Sequence, residues 1–158
     1  MEVRRIPMEQ LGPLLEEQLK RGHAMLPVTG HSMLPMLQGG RDVVRLGALE
    51  GIPERGDVLL YRRAGGQYVL HRLIRMMDGD TCLCCGDNQW QRELVPAASV
   101  MARVERFCRK GKWIDCKDDR GYCYYVKLWT ALFPVRRPII AVRRLLGRLR
   151  RKLRRERK

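Results

Sequence analysis

A long apolar run is the first thing this sequence lacks. Crossing a bilayer takes about 18–20 consecutive apolar residues, and the longest candidate, Leu128 to Val142, is broken by Pro134, Arg136, Arg137 and Pro138. No transmembrane anchor is expected. No export signal is expected either, since Met1 to Gly22 is charged and has no apolar core segment. The six cysteines, Cys82, Cys84, Cys85, Cys108, Cys116 and Cys123, are therefore read as reduced thiols of a cytoplasmic protein. They also lack the paired Cys-x-x-Cys spacing of zinc sites, for which Cys82-x-Cys84-Cys85 is a poor substitute. Neither a metal nor another cofactor is expected. Internal repeats are absent.

Acidic residues are scarce in one place above all. From Val135 to Lys158, twelve Arg or Lys face a single acid, Glu156, a balance of +11 within a chain total of +15. The remaining 134 residues carry only +4 and make an ordinary, mildly basic body. With 158 residues, 45% of them hydrophobic, and a mean hydropathy of −0.37, there is material for one compact core plus tails.

The pattern divides the chain into three segments. Residues 1–23 hold a short helix, Met8 to Arg21, with Leu11, Leu14, Leu15 and Leu19 on one side and Gly22 closing it. Pro13 is tolerated near the helix start. Residues 24–120 read as a small, mostly antiparallel β domain, so the fold class is mainly β. The strand-like runs Asp42–Leu46, Asp57–Arg62, Gln67–Met76 and Thr81–Cys85 are separated by Gly, Pro and Asp clusters. Gly65-Gly66 marks a hairpin, and Val100–Cys108 with Trp113–Cys116 marks another. Residues 121–158 form a basic amphipathic tail, in which Val142, Leu145, Leu146, Leu149 and Leu153 fall at helical spacing with arginines between them. Packing of that stripe on the domain or on a partner is the plainer reading. An anionic membrane surface bound through residues 136–158 is the sharper one, and it is favoured over nucleic acid because arms for nucleic acid do not need leucines.

Three islands carry residues suited to chemistry. In Val28-Thr29-Gly30-His31-Ser32-Met33-Leu34-Pro35, a serine lies between a glycine turn and a proline that biases Leu34 toward extended backbone. Such a loop aims a hydroxyl outward and presents backbone N–H groups to a developing oxyanion. His71 interrupts the apolar run Tyr68-Val69-Leu70-His71-Arg72-Leu73 and is suited to deprotonating that serine. Gly86-Asp87-Asn88 is turn chemistry that also supplies an acid, and Glu93 follows it. Each island alone has an ordinary structural explanation. His31 is expected at the rim, and His23 is expected to cap the first helix.

The order of these islands resembles the serine peptidases of the signal peptidase I and LexA-type repressor superfamily. Ser32-Met33-Leu34-Pro35, Gly56-Asp57-Val58, His71-Arg72 and Gly86-Asp87-Asn88 fall in that family's sequence of boxes, over about half the chain. Histidine in the base box is similar to the endoplasmic-reticulum and archaeal branch. The resemblance implies a curled β fold and hydrolysis of a peptide or preprotein held as an added strand, with Ser32 as nucleophile and His71 as base. Glu93 or Asp87 would orient the imidazole, and Gly30, Met33 and Pro35 would shape the oxyanion and substrate site. The chain would then be a signal-peptidase-like endopeptidase in the cytoplasm or at the inner membrane face. A self-cleaving regulator and a non-catalytic module binding peptides or membranes are the alternatives.

Overall fold

The computed structural model describes residues 8–156, without the side chains of 8–11, 144 and 149–156, so Leu11, Leu149 and Leu153 of the expected stripes lie outside the described side chains. Helix α1 (Met8–Lys20) leads into β1 (His23–Pro27), β2 (Val43–Ala48), β3 (Val58–Arg62), β4 (Tyr68–Met77), β5 (Thr81–Cys85), β6 (Glu93–Pro96), β7 (Val100–Arg109) and β8 (Lys112–Asp115). Helices α2 (Arg120–Ala131) and α3 (Arg136–Glu156) complete the chain, joined by a short 3-10 turn. The result is a mixed α/β architecture dominated by an eight-stranded antiparallel sheet, more helical than a mainly β domain.

The sheet runs β1-β2-β7-β3-β4-β5-β6, with β8 added to β7. Its two end strands, β1 and β6, do not pair with each other, so the sheet is open and not the curled one expected. Turn residues explain the connections. Gly66 takes a φ of 80° in the β3–β4 turn, where Gly66 N–H donates to the Arg63 carbonyl and Arg63 N–H to the Gln67 carbonyl. At the β7–β8 turn, Lys110 and Gly111 both have positive φ, 52° and 79°, the geometry that matches the right-handed twist of the flanking strands.

β3 is the centre of the core because it is buried on both faces. Val58 and Leu60 join Val44, Leu46, Ala102, Val104 and Phe107 on one side, where Leu15, Met33, Leu37 and Tyr122 cover them. Leu59 and Tyr61 face the other way, onto Leu73, Cys82, Cys84 and Val95. Period-2 alternation thus splits one apolar strand between two clusters. Two elements escape the sequence pattern. His23 opens β1, paired with Gly47, and does not cap α1. β6 is short, ends in Pro96 and pairs only with β5, which are edge-strand properties with little hydrophobic signature.

No helix of the described residues is long and apolar enough to cross a membrane. At the β7–β8 turn, the left-handed conformation costs a lysine more than an asparagine. Lys110→Asn is expected to raise unfolding free energy by about 0.5–1 kcal/mol, read as a higher denaturant midpoint with an unchanged slope.

Candidate active site

Ser32 lies on the long loop between β1 and β2, and that loop is held at both ends. Val28 N–H donates to the Asp42 carbonyl at 2.9 Å, Gly40 N–H to the Val28 carbonyl at 3.0 Å, and Gly39 N–H to the Gly30 carbonyl at 3.1 Å. Asp42, buried, accepts from Gln38 N–H and from Arg41 through both carboxylate oxygens. Met33, Met36 and Leu37 insert into the core and anchor the loop from below. Ser32 is half-buried above them.

The Gly86-Asp87-Asn88 turn docks on this loop. Asn88 N–H donates to the Ser32 carbonyl at 2.7 Å, and Asn88 Nδ2 donates to the His31 carbonyl at 3.1 Å. The contact is close enough that a Cβ at Gly86 would stand 2.7 Å from the Ser32 carbonyl oxygen, so only glycine fits. The amide N–H of Ser32 donates no backbone hydrogen bond among the described residues.

Asp87 is committed elsewhere. Arg72 Nε and Nη2 donate to its two oxygens at 2.8 and 2.7 Å, and Tyr125 Oη donates to Oδ2 at 3.1 Å. Both partners of the ion pair are fully buried. Burial opposes the Arg72 charge, but the Asp87 carboxylate outweighs it and holds the guanidinium well above its ordinary pKa. The third guanidinium nitrogen donates to the Gly56 carbonyl at 2.7 Å, which ties the Gly56-Asp57-Val58 island to the same post. Asp87 makes no hydrogen bond to His71 among the described residues; its oxygens accept from Arg72 and Tyr125 instead.

Glu93 is the acid brought to His71, with an intermediary that sequence reasoning missed. Tyr61 Oη lies 3.0 Å from His71 Nδ1 and donates to Glu93 Oε2 at 2.8 Å, while Nδ1 and Oε2 are 3.7 Å apart. Arg63 donates to both Glu93 oxygens, at 2.7 and 2.8 Å. Those hydrogen bonds hold the Glu93 carboxyl below its ordinary pKa, so it is ionised and only accepts. Tyr61 has one proton and gives it to Glu93; its oxygen must then accept the Nδ1 proton of His71. This network favours the Nδ1–H tautomer, in which Nε2 carries the lone pair a general base requires. The signal for Tyr61 was present as period 2, because residues at 59, 61 and, on the paired strand, 69, 71 share a face.

Ser32 and His71 line one cleft of about 250 Å³ with Leu26, Thr29, Met33 and Gln89. No hydrogen bond joins Ser32 Oγ to His71 among the described residues. Of the other expected site residues, Met33 reaches the cleft wall from the core, whereas Gly30 and Pro35 do not line it. Gly30 serves the loop instead, with a φ of 70°, and Pro35 follows a cis peptide bond. Two backbone stretches flank the cleft, the end of β1 and the start of β4. β4 pairs with β5 only from Arg72 onward, so the outer edge of Tyr68–Leu70 has no strand partner among the described residues.

The thiols offer no rival nucleophile near the imidazole. Burial pushes Cys84 up to about 12 and Cys85 up to about 11, which keeps both protonated. A larger cavity of about 750 Å³ lies between β7 and α2, lined by a near-equal mix of acids and bases and by no imidazole.

Two outcomes separate the carboxylates. Asp87→Ala strands a buried guanidinium and is expected to cost about 3–5 kcal/mol of stability, whereas Glu93→Gln, at a part-exposed pair, should cost under about 1 kcal/mol. Denaturant unfolding of both variants checks this. Burial also pushes the His71 imidazole down to about 4, against the pull of Glu93. The unfolded chain therefore binds the proton first as pH falls, and native stability declines between about pH 6.5 and pH 4. That share of the pH dependence should vanish in His71→Gln, and an NMR titration should place the His71 midpoint near pH 4.

No model of a known protein family matches the chain, and no curated protein matches it either.

Proposed function

We propose that this chain is a serine endopeptidase of the signal-peptidase type, with histidine as base, that cuts a peptide or leader segment through an acyl-enzyme. The observation that carries the reading is the shared cleft: Ser32 and His71 line it together, and His71 Nδ1 lies 3.0 Å from a Tyr61 hydroxyl that donates to Glu93, an arrangement that favours the tautomer of a base. In this reaction Ser32 Oγ attacks the scissile carbonyl carbon as its proton passes to His71 Nε2. The carbonyl oxygen becomes an oxyanion stabilised by the uncommitted N–H of Ser32. The imidazolium returns the proton to the leaving amine, and water then hydrolyses the ester by the same path in reverse.

The unpaired edge of Tyr68–Leu70 beside the cleft supports binding of the substrate as an added strand. Alternation supports it further: Arg63 and Gln67 form a hydrogen-bonded pair at the turn, so the backbone groups of Tyr68 and Leu70 point away from β3. On this reading the sheet is a pared-down signal-peptidase catalytic domain, and the six free thiols support a reducing, cytoplasmic setting. One observation favours the rival reading, a peptide-binding module without chemistry: Ser32 Oγ donates no hydrogen bond to the imidazole, although such contacts are often loose before substrate binds.

Ser32→Ala and His71→Ala should each lower kcat/KM on an unstructured peptide by about 10³-fold or more, and Glu93→Gln by about 10²-fold, with folding intact. A fluorophosphonate probe should label Ser32 in the parent and leave Ser32→Ala unlabelled. Unchanged cleavage by Ser32→Ala would sink the peptidase. An unlabelled parent that still binds extended peptides would leave the binding module standing.

A further inference from the structure

Helix α3 presents two different faces, and only one of them is used by the body. Arg136 is fully buried, with its guanidinium 4.9 Å from the ring centres of both Trp129 and Phe133, and it donates to the Trp129 carbonyl at 2.8 Å. Ile140 is buried one turn on. Arg143 follows on the same side and donates to Asn88 Oδ1 at 2.8 Å. Positions 136, 140 and 143 make the docking face. The apolar stripe is elsewhere: at 3.6 residues per turn, Val142, Leu145 and Leu146 are centred about 130° away from it. They are 56%, 55% and 50% exposed, and Val135 just before the helix is 49% exposed. Val142, Leu145 and Leu146 thus do not pack on the domain, which the helix meets through Arg136, Ile140 and Arg143 instead.

We propose that α3 docks on an anionic lipid bilayer, with Val142, Leu145 and Leu146 entering the interface and the Arg143–Asn88 bond holding the Ser32 cleft at that surface. Charge complementarity selects the occupant. With Arg136 and Arg143 turned to the body, Val135 to Lys158 still carries a balance of +9, which suits phosphatidylglycerol-type headgroups, and the exposed leucines demand an apolar phase beneath them. A nucleic-acid backbone would satisfy the arginines and leave the leucines in water. The connection to the site is short. Asn88 accepts from Arg143 and donates to the carbonyls of Ser32 and His31, so one side chain separates the lipid-facing helix from the nucleophile loop. Placing the cleft at a bilayer makes segments anchored in, or emerging from, that bilayer the favoured substrates; this second part alone rests on the peptidase reading.

The test uses the full chain and co-sedimentation with phosphatidylcholine vesicles, plain or containing about 30% phosphatidylglycerol. Binding to the anionic vesicles is expected, weakened by about tenfold or more on raising salt from 0.1 to 0.5 M, with little binding to neutral ones. Leu145→Glu/Leu146→Glu should weaken it by about tenfold or more, and the milder Leu145→Ala/Leu146→Ala to a smaller degree, with the sheet unperturbed. Ser32→Ala should bind like the parent, so loss of the peptidase reading leaves this arm untouched. A lipid-anchored peptide should then be cut faster than its soluble form by the parent, and at the same rate by the glutamate variant. Equal binding of the parent and the glutamate variant, or preference for a DNA duplex over anionic vesicles, would overturn the proposal.

Discussion

The buried ion pair of Arg72 and Asp87 is the post that joins the Ser32 loop, through the turn carrying Asn88, to the strand carrying His71. Asp87 belongs to the turn that carries Asn88, and Asn88 grips the Ser32 loop through its main-chain and side-chain amides. Arg72 belongs to the strand that carries His71 and also reaches the Gly56 carbonyl. An isolated charge in this position would be prohibitive, since desolvation alone costs several kcal/mol per ion. The pair persists because both carboxylate oxygens and all three guanidinium nitrogens have partners, two of them the hydroxyls of Tyr122 and Tyr125 on α2. A buried pair of this kind adds little net stability over an apolar one, but it fixes one register. Here register is what a two-loop site requires.

One pair of neighbours, His71 and Arg72, shows how a strand divides labour. Successive side chains of β4 point to opposite faces, so the imidazole joins Tyr61 and Glu93 while the guanidinium turns toward α2. A slip of one residue in the β3–β4 register would exchange them and destroy both sites at once. The apolar residues around them, Leu59 and Leu73 on one face and Val58 and Leu60 on the other, make such a slip costly by exposing two clusters.

How much of this was legible in the sequence follows from the range of the interactions. β5 was readable to the residue, and β3 and β4 to within one, because apolar alternation bounded by glycines is a local signal. The shared cleft of Ser32 and His71 was legible only as an order of islands, since the two are brought together by the β1–β2 loop and not by any spacing. The choice between Glu93 and Asp87 was not legible at all. Both are acids near one turn, and what decides is which arginine each meets: Arg72 in the dry interior for Asp87, Arg63 at the surface for Glu93. Tyr61 lay unremarked inside the strand-like run Asp57–Arg62; it is buried, and its hydroxyl matters only once β4 and β6 supply the groups on either side of it.

The tyrosine between imidazole and carboxylate sets the energetics of the proposed reaction. At rest, burial dominates and keeps His71 neutral, poised in one tautomer but weakly basic, with its pKa near 4. A weak base is always in the correct protonation state at neutral pH, yet it makes proton removal from a serine uphill. That cost would be larger without Glu93: the new imidazolium stands 3.7 Å from an ionised carboxylate, whose pull is already contained in the pKa near 4. At an effective dielectric near 20 such a pair is worth about 4 kcal/mol, and Arg63 on the same carboxylate takes back part of it. The Tyr61 hydroxyl transmits this field without moving, since it already donates to Glu93 before the charge forms. An interaction stronger in the transition state than in the ground state is what accelerates a reaction, and a neutral resting histidine with a fixed anion behind it is one way to build that difference.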